Sequence, residues 1–347
     1  MLLIGSSTLF SCSNNEDELP PKEQEQTNQE TYTISFNLGG EFISTSETPL
    51  SRTEVAPKKI YGINVYYKKD ATDTWYDKYA YGLFDNIQDM TISLISGYKY
   101  KFECTMIQND NDIIYHDKNG YYGRPFMYGD SYNGNYNRST VQLTNKFNVS
   151  TTDYQCLDYI KYGTTDVCAE SSFVRSNYPK TDRFYGELTD YIPTKDGVAN
   201  IDLKRTAFGL KFIVTPPVDG TLSVSYIWIN NGGSINPNIK VSADDNILES
   251  SSMYTFSQVY ECWQAENYTK DLTIQLKWER ANGATQTFEK VITVKRNVMT
   301  TVNINVNGDT TDSSLGVKED DTPMGNENVD MNFNGGDLDD NEVNPYV

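Results

Sequence analysis

The feature that most constrains the fold is a strict alternation of apolar and polar residues along the middle of the chain. A strand presents successive side chains to opposite faces, so a period of two predicts antiparallel sheet with one apolar and one polar face. Helical spacing is nearly absent, apart from a short turn predicted near residues 153–162. The apolar members of the clearest runs are Tyr32, Ile34, Phe36 and Leu38; Tyr61, Ile63, Val65 and Tyr67; Tyr98, Tyr100, Phe102, Cys104 and Met106; Phe208, Leu210, Phe212 and Val214; Leu222, Val224, Tyr226 and Trp228; and Val302, Ile304 and Val306. The chain is expected to be all-β, with few or no helices.

The division into domains follows from length and turn signals. The chain has 347 residues, too many for one hydrophobic core of this kind. Asn-Gly and Asp-Gly pairs separate the apolar runs and supply the positive backbone angles of hairpin turns. The alternation breaks near Ile192-Pro193-Thr194, which places the expected seam between Tyr185 and Asp196. We expect two tandem antiparallel β-sandwich domains of transthyretin-like or Greek-key type, over residues 31–192 and 193–307.

A short apolar segment at the start of the chain ends at Cys12. In Leu9-Phe10-Ser11-Cys12, an aliphatic residue stands three before the cysteine and a small residue directly before it. This spacing resembles a bacterial lipobox, so residues 1–12 are predicted to be a lipoprotein signal peptide ending at the lipidated Cys12. Its acyl chains would anchor the protein in the outer membrane. The open alternative is that Cys12 is an ordinary residue of a frayed N-terminus.

The negative charge of the chain is concentrated at its two ends. Of the formal net charge of −19, residues 13–30 carry −5 and residues 308–347 carry −10, which leaves −4 for the middle. Residues 13–30 are predicted to be an acidic linker, and their first acids resemble the export signal that sends lipoproteins to the cell surface in Bacteroidetes. Residues 308–347 are predicted to be a largely disordered acidic tail. Nucleic-acid binding is disfavoured, because it needs clustered Lys and Arg.

Four cysteines remain once Cys12 is set aside. An even number of cysteines in an oxidising compartment permits disulfides, and Cys156 with Cys168 is the local pair to test first. Cys104 lies on the apolar face of a predicted strand and is expected to be a buried free thiol.

Residues for catalysis or metal binding are sparse. His116 is the one histidine and has no zinc-type neighbours in sequence. No nucleophile elbow, metalloprotease or phosphate-binding motif occurs, and abundant acids alone do not indicate a glycosidase pair. Asp110-Asn111-Asp112 and Asp337-Leu338-Asp339-Asp340 do not fit a calcium loop and are interpreted as solvated turns. We expect no enzyme, no catalytic residues, no metal and no cofactor.

The order of these segments resembles the fimbrillin-like surface lipoproteins of Bacteroidetes. The resemblance rests on Cys12, the acidic linker, a first strand followed by Ser51-Arg52-Thr53, and a two-sandwich middle. The run Leu203-Lys204-Arg205-Thr206-Ala207-Phe208-Gly209-Leu210-Lys211-Phe212 is similar to the strand that opens the second domain of that family. The resemblance implies a structural subunit, anchor or tip of an adhesive fimbria on the cell surface, with other fimbrial subunits as partners.

The resemblance also implies how such subunits are joined. A protease would cut after Arg52, the first strand would leave, and a strand from the next subunit would enter the open groove. The alternative is a loop arginine that is never cut. Val329-Asp330-Met331-Asn332-Phe333 is the clearest alternation in the tail, so Val329, Met331 and Phe333 are the predicted donor side chains. The alternative is that this segment returns to its own sheet or stays disordered.

A second functional interpretation is a surface glycan-binding lipoprotein of a polysaccharide-uptake system. Residues 108–138 are rich in Tyr, Asn and Gly, and aromatic rings among amides can stack on and hydrogen-bond a sugar. Exposed tryptophans among Trp75, Trp228, Trp263 and Trp278 would serve the same purpose. The simpler interpretation is that the tyrosines of this segment cover a sheet edge. A coplanar row of exposed aromatic rings would favour the glycan, or a host-surface, ligand.

Overall fold

The computed structural model describes residues 29–41, 58–70, 72–109, 121–123, 125–127, 141–149, 156–163, 165–169, 172–176, 180–227, 239–306 and 325–332. Within these ranges the fold is all-β, as predicted, with one α-helix, α1 (Val259–Gln264). The strands before residue 206 are β1 (Thr31–Gly40), β2 (Lys58–Lys68), β3 (Asp77–Phe84), β4 (Thr91–Ile95), β5 (Lys99–Asn109), β6 (Tyr121–Tyr122), β7 (Val141–Gln142), β8 (Asn148–Val149), β9 (Thr165–Ala169), β10 (Ser172–Ser176), β11 (Asp182–Tyr191) and β12 (Val198–Arg205). The later ones are β13 (Ala207–Val214), β14 (Thr221–Ile227), β15 (Ile239–Ser242), β16 (Leu248–Thr255), β17 (Thr269–Glu279), β18 (Thr285–Lys295), β19 (Val298–Asn305) and β20 (Gly325–Asn332).

The N-terminal sandwich is one sheet that folds over on itself, with the strand order β4-β1-β12-β11-β5-β2-β3-β8. Strand β12 makes the corner, because its first six residues pair with β1 and its last two pair with β11. The two layers enclose an apolar core, as the alternation predicts. Its largest members include Ile34, Phe36, Ile63, Phe84, Leu94, Tyr100, Phe102 and Phe184.

A third layer covers the outer face of the β11-β5-β2-β3 side of this sheet. Ile60, Leu83, Ile107 and Tyr185 point outward from the strands and are buried against Tyr122, Phe126, Met127, Val141, Leu157, Ile160 and Val259. The alternation predicts a solvated outer face here, and the structure differs because chain segments on both sides of residue 140 pack over it. Both faces of these strands are therefore buried.

The C-terminal sandwich consists of two four-stranded sheets, β16-β13-β19-β20 and β15-β14-β17-β18. One core lies between them and is built from residues 208–306, with Phe208, Phe212, Leu222, Phe256, Ile274, Trp278, Phe288, Val294 and Ile304 among its members. Trp278 is buried and its indole N–H donates to the carbonyl of Asp219 at 2.7 Å. Its polar edge is thus satisfied while its ring fills the core.

Two expectations from the sequence need correction. The first concerns strand direction, because β1 and β12, β13 and β19, and β19 and β20 pair in parallel. A period of two fixes the face of a side chain but not the direction of its neighbour. The second concerns the seam, since the predicted boundary at residues 185–196 falls inside the N-terminal sheet. Pairing of β12 with β1 and β11 moves the change of core to Thr206.

The two sandwiches meet at a polar joint around Arg183 and Thr206. The N–H of Thr206 donates to the carbonyl of Arg183 at 2.7 Å, and the N–H of Phe256 donates to the carbonyl of Thr206 at 3.0 Å. Arg183 is fully buried, and its guanidinium donates to the carbonyls of Ile160 and Tyr162. Burial lowers the pKa of Arg183 to about 9, so it stays cationic at neutral pH. These bonds join the third layer, the N-terminal sheet and the C-terminal sandwich.

Candidate assembly site

Strand β1 lies inside its sheet, second from the edge that β4 forms, and has a paired neighbour on each side. It pairs with β4 in the antiparallel direction and with β12 in the parallel direction. Its inward side chains, Ile34, Phe36 and Leu38, are at most 6% exposed. Removing β1 would leave two open hydrogen-bonding edges and an apolar groove with three empty side-chain positions.

Phe36 is the central inward residue of β1. Its ring lies edge-to-face against Phe102 with the centroids 5.1 Å apart, and the Phe147 ring lies 5.7 Å away. The outward side of β1 carries only small polar contacts, such as the bond from Asn37 Nδ2 to Asn200 Oδ1 at 2.9 Å. Strand β1 is therefore held by its backbone ladder and by its three apolar side chains.

The end of β1 is fixed to both sandwiches by Glu41, which directly follows the strand. Arg296 Nη1 donates to both carboxylate oxygens of Glu41, at 2.9 and 2.8 Å. The main-chain N–H of Arg205 donates to Glu41 Oε2 at 2.8 Å. Arg205 itself is paired with Asp182, at 2.9 and 3.0 Å. Glu41 thus joins the first strand to the joint between the sandwiches.

The predicted donor segment forms strand β20 at the edge of the C-terminal sheet. It pairs in parallel with β19, so that Val329 lies opposite Val302 and Met331 lies opposite Ile304. Strand formation here agrees with the alternation, and its location agrees with the alternative that the segment returns to its own sheet. Phe333 lies outside the described residues. The donor role itself stays a prediction.

Several other predicted sites fall outside the described residues. These are Cys12, Arg52, His116, the Asp110–Asp112 turn and the Asp337–Asp340 turn, so lipidation and cleavage stay predictions. Cys104 is a buried free thiol, as expected. Cys156 is also a free thiol, with Sγ 3.5 Å from Asp158 Oδ1, and burial raises its pKa. The predicted Cys156–Cys168 disulfide is therefore not formed in this structure.

A buried ionic cluster on the outer face of the N-terminal sheet was not predicted from the sequence. Lys161 Nζ lies 2.7 Å from Glu103 Oε1 and 3.2 Å from Glu187 Oε1, and Lys101 Nζ lies 2.8 Å from Glu103 Oε1 and 3.3 Å from Glu187 Oε2. The two carboxylate side chains are 5% and 6% exposed. Neighbouring strands place them together, because Glu103 is opposite Glu187 in the β5-β11 register.

The electrostatics of this cluster favour the charged forms of Glu103 and Lys161. Burial disfavours the charge of Glu103, but Lys101 and Lys161 outweigh it, and the pKa of Glu103 lies below its usual value. Burial acts against Lys161 as well, yet Glu103 and Glu187 hold its pKa above the usual value. The cluster brings each carboxylate within 3.3 Å of both lysine amines. Its effect is to fasten the third layer to the sheet.

Most of the described aromatic residues proposed for glycan binding are buried or packed against other rings. Trp278 is buried in the C-terminal core, and Trp263 packs against Tyr185 with the ring centroids 5.5 Å apart. Trp228 lies outside the described residues. Trp75 is 83% exposed. Within residues 108–138, Tyr122 and Phe126 are buried in the third layer, which agrees with the simpler interpretation that this segment covers the sheet.

A cavity of about 330 Å³ lies beside β7 and β8, and its lining includes Tyr81, Gln142, Lys146 and Phe147. No group of three or more metal-type side chains is found in the part of the chain that the structure describes. Among those residues, no helix is long and apolar enough to cross a membrane.

Comparisons with known proteins find similarity at the level of structure. No family model and no curated protein matches the sequence. Its structural neighbours include proteins of Bacteroidetes described as adhesins, as fimbrial proteins and as polysaccharide-binding proteins. A candidate cell adhesion protein from Bacteroides eggerthii is 10% identical, with 87% of this chain and 98% of that chain covered and a TM-score of 0.36.

Two neighbours from Porphyromonas gingivalis carry fimbrial names. The fimbrial anchor protein Mfa2 is 11% identical, with 75% of this chain and 81% of that chain covered and a TM-score of 0.29. The tip fimbrial protein Mfa3, with a C-terminal truncation, is 8% identical, with 76% and 82% covered and a TM-score of 0.28. No function or residue role is transferred from these matches.

Proposed function

We propose that this chain is a surface-exposed fimbrillin-like lipoprotein, a structural subunit, anchor or tip of an adhesive fimbria assembled by strand exchange. Lipid on Cys12 would hold it in the outer membrane, and cleavage after Arg52 would release the first strand. A tail strand that includes Val329, Met331 and Phe333 would then enter the groove of the next subunit. Its partners are other fimbrial subunits, and no chemical reaction is assigned to it.

The observation that carries this proposal is the interior position of β1. A removable strand at an edge would leave the sheet nearly complete, whereas β1 lies between β4 and β12 and closes the core with Ile34, Phe36 and Leu38. The open groove would offer backbone groups on both sides and three apolar pockets at a spacing of two. A strand with three alternate apolar side chains matches that demand, and the Val329–Phe333 segment has this pattern.

The position of β20 supports a head-to-tail arrangement. Strands β13 and β19 begin at the joint, where the N–H of Asn297 donates to the carbonyl of Ala207. Strand β20 runs parallel to β19 and ends at Asn332, opposite Asn305. Its C-terminal end is therefore at the end of the C-terminal sandwich remote from the joint. The groove of β1 is on the other sandwich, so donor and acceptor lie on different parts of the molecule.

Removal of the tail tests the donor half of the proposal. We expect a chain lacking residues 326–347 to fold as a monomer and to lose self-assembly in material from its native membrane. Intact mass and an oligomer ladder on a gel measure both outcomes together. Unchanged polymerisation of the truncated chain would rule out this donor.

Substitution of Arg52 tests the acceptor half. Arg52→Lys keeps the positive charge but removes the arginine at which cleavage is proposed. We expect the variant to retain residues 12–52, with an intact mass that includes the acyl chains. Because its groove stays filled by β1, it should not accept a strand from another subunit. A variant that assembles as well as the parent chain would show that β1 is not removed by cleavage at this position.

A further inference from the structure

The groove of β1 ends at a preformed site for a carboxylate. Arg296 is a buried arginine, with its side chain 5% exposed, and Glu41 supplies its close carboxylate partner. Its other contacts are longer, at 3.3 Å to the carbonyl of Arg205, 3.4 Å to the carbonyl of Glu266 and 3.5 Å to Glu266 Oε1. The second donor to Glu41 is the main-chain N–H of Arg205, which is held in place by the sheet.

Loss of β1 would remove this carboxylate with the strand. The guanidinium of Arg296 would then keep the longer ion pair with Glu266 Oε1, at 3.5 Å, and its longer carbonyl contacts, but it would lose its close carboxylate partner, which is unfavourable for a buried charge. Arg205 is less affected, because Asp182 stays in the N-terminal sheet and keeps its bidentate pair. After β1 has left, an anion that binds at Arg296 would therefore stabilise the protein more than one that binds at Arg205.

The tail carries acids at a matching distance from its apolar residues. In β1, Glu41 follows the last inward residue, Leu38, by three positions. In the tail, Asp337 follows Phe333 by four positions, with Gly335 and Gly336 between them, and Asp339 and Asp340 come next. Glycine allows the chain to bend over this stretch. A tail that runs in the direction of β1 would therefore bring an aspartate to the joint.

We propose that Arg296 and the main-chain N–H of Arg205 form a carboxylate-binding site that takes an aspartate of the Asp337–Asp340 segment from a second copy of this chain. This inference rests on the proposed function, because the site opens only when β1 leaves. Glu41 is the internal occupant of the site before assembly. Arg296 Nη1 and the main-chain N–H of Arg205 together hold the two oxygens of a carboxylate, so the site would set the direction and register of the incoming strand.

The test uses a full-length chain in which a site-specific protease sequence replaces residues 51–56. After cleavage, a fluorescent peptide of residues 325–341 is added at a dilution where the chain is monomeric, and binding is followed by anisotropy. Release of the first strand is confirmed by mass. We expect the peptide with D337N and D339N to bind at least tenfold more weakly than the parent peptide. A peptide with E327Q and D330N loses the same charge and should change affinity by less than threefold.

The protein variant R296Q tests whether Arg296 is the residue that binds the aspartates of the peptide. On this variant, the parent and D337N/D339N peptides should bind equally, and R296K should show a reduced difference, because lysine lacks the planar fork. The denaturation midpoint of each variant before cleavage verifies that it folds. Equal losses for the two substituted peptides, or a difference that persists on R296Q, would overturn the site. No binding of any peptide would overturn the strand-exchange proposal itself, and this inference with it.

Discussion

The two sandwiches place the terminal strands of the chain in opposite kinds of position. The first strand, β1, lies inside the N-terminal sheet and supplies three buried side chains to its core. The last described strand, β20, is at the edge of a C-terminal sheet and pairs with β19 alone. Loss of β1 would therefore open the ladder on two sides, whereas loss of β20 would open it on one.

This difference suits a subunit that gives one strand and accepts another. A chain can release an edge strand at little cost to its own core, and it can then offer that strand to a neighbour. It cannot lose an interior strand without taking a replacement, because the groove exposes apolar side chains and open edges. The asymmetry between the sandwiches thus favours a directional chain of subunits over a symmetric dimer.

The largest expected effect is that of truncating the central residue of β1. Phe36→Ala removes a buried ring that contacts Phe102 and Phe147, and such a cavity typically costs about 3 to 5 kcal/mol of unfolding free energy. Urea denaturation followed by circular dichroism measures this loss. Val291→Ala, at an exposed position of β18, is the control and should change the free energy by less than about 0.5 kcal/mol. If Phe36→Ala and Val291→Ala lowered the unfolding free energy equally, the side chains of β1 would not be needed for the stability of the N-terminal core.

A second prediction concerns the ionic cluster that only the N-terminal sandwich contains among the described residues. Glu103→Gln leaves two lysines with one carboxylate, and we expect a loss of about 1 to 3 kcal/mol at pH 7. Because the folded-state pKa of Glu103 is lowered, its contribution is present above the unfolded value of about 4.3. The contribution disappears as the pH falls through the lower folded-state pKa.

The pH dependence provides the control for that prediction. The difference between Glu103→Gln and the parent chain should be constant from pH 7 to pH 5 and should shrink below about pH 4. Urea midpoints at each pH give the curve. A difference that does not change with pH would show that packing, and not charge, explains the effect.

Deletion of the edge strand should cost less than either substitution. A chain lacking residues 326–347 keeps the whole described C-terminal core, so its unfolding free energy should fall by less than about 1 kcal/mol. Thermal or urea denaturation of the monomer tests this. A loss as large as that of Phe36→Ala would contradict the contrast between the two terminal strands.

The smallest effect is expected at an exposed ion pair of the C-terminal sandwich. Lys211 and Glu249 lie 2.8 Å apart on β13 and β16, and both side chains are at least one-third exposed. Glu249→Gln should change the unfolding free energy by less than about 0.5 kcal/mol, because solvent screens such pairs. A loss of unfolding free energy as large as that of Glu103→Gln would show that burial does not explain the difference between this exposed pair and the buried cluster.

The alternation of apolar and polar residues predicted where the strands lie. It did not predict strand direction, the boundary between the sandwiches or the third layer. The runs at Tyr32, Tyr61, Tyr98 and Phe208 all lie in strands, because a side chain's face depends on its own backbone. Strand direction and the seam at Thr206 depend on which distant segments pair, and no local pattern records this. The cluster at Glu103 was missed for the same reason, since its position in the run has the polarity of a solvated face and only the third layer buries it. In the sequence, a polar strand residue that a further layer buries looks the same as one that faces solvent.

The most direct measurement is a disulfide trap that reports which sheet holds the tail. Asn332 lies opposite Asn305 in this structure, and Asn37 lies opposite Asn200. If the tail replaces β1 in the same direction, with Met331 in place of Phe36, then Asn332 takes the place of Asn37 beside Asn200 of the next subunit. Cysteine pairs at 305 and 332, and at 200 and 332, distinguish the two locations, because neighbouring strands bring such residues within disulfide range.

We expect N305C/N332C to form a disulfide within one chain before cleavage after Arg52. We expect N200C/N332C to form disulfides between chains only in cleaved, assembled material, with a ladder that disappears on reduction, while the single variants N200C and N332C form none. Assembled material in which the 305–332 disulfide persists and the 200–332 disulfide is absent would contradict strand exchange through β1.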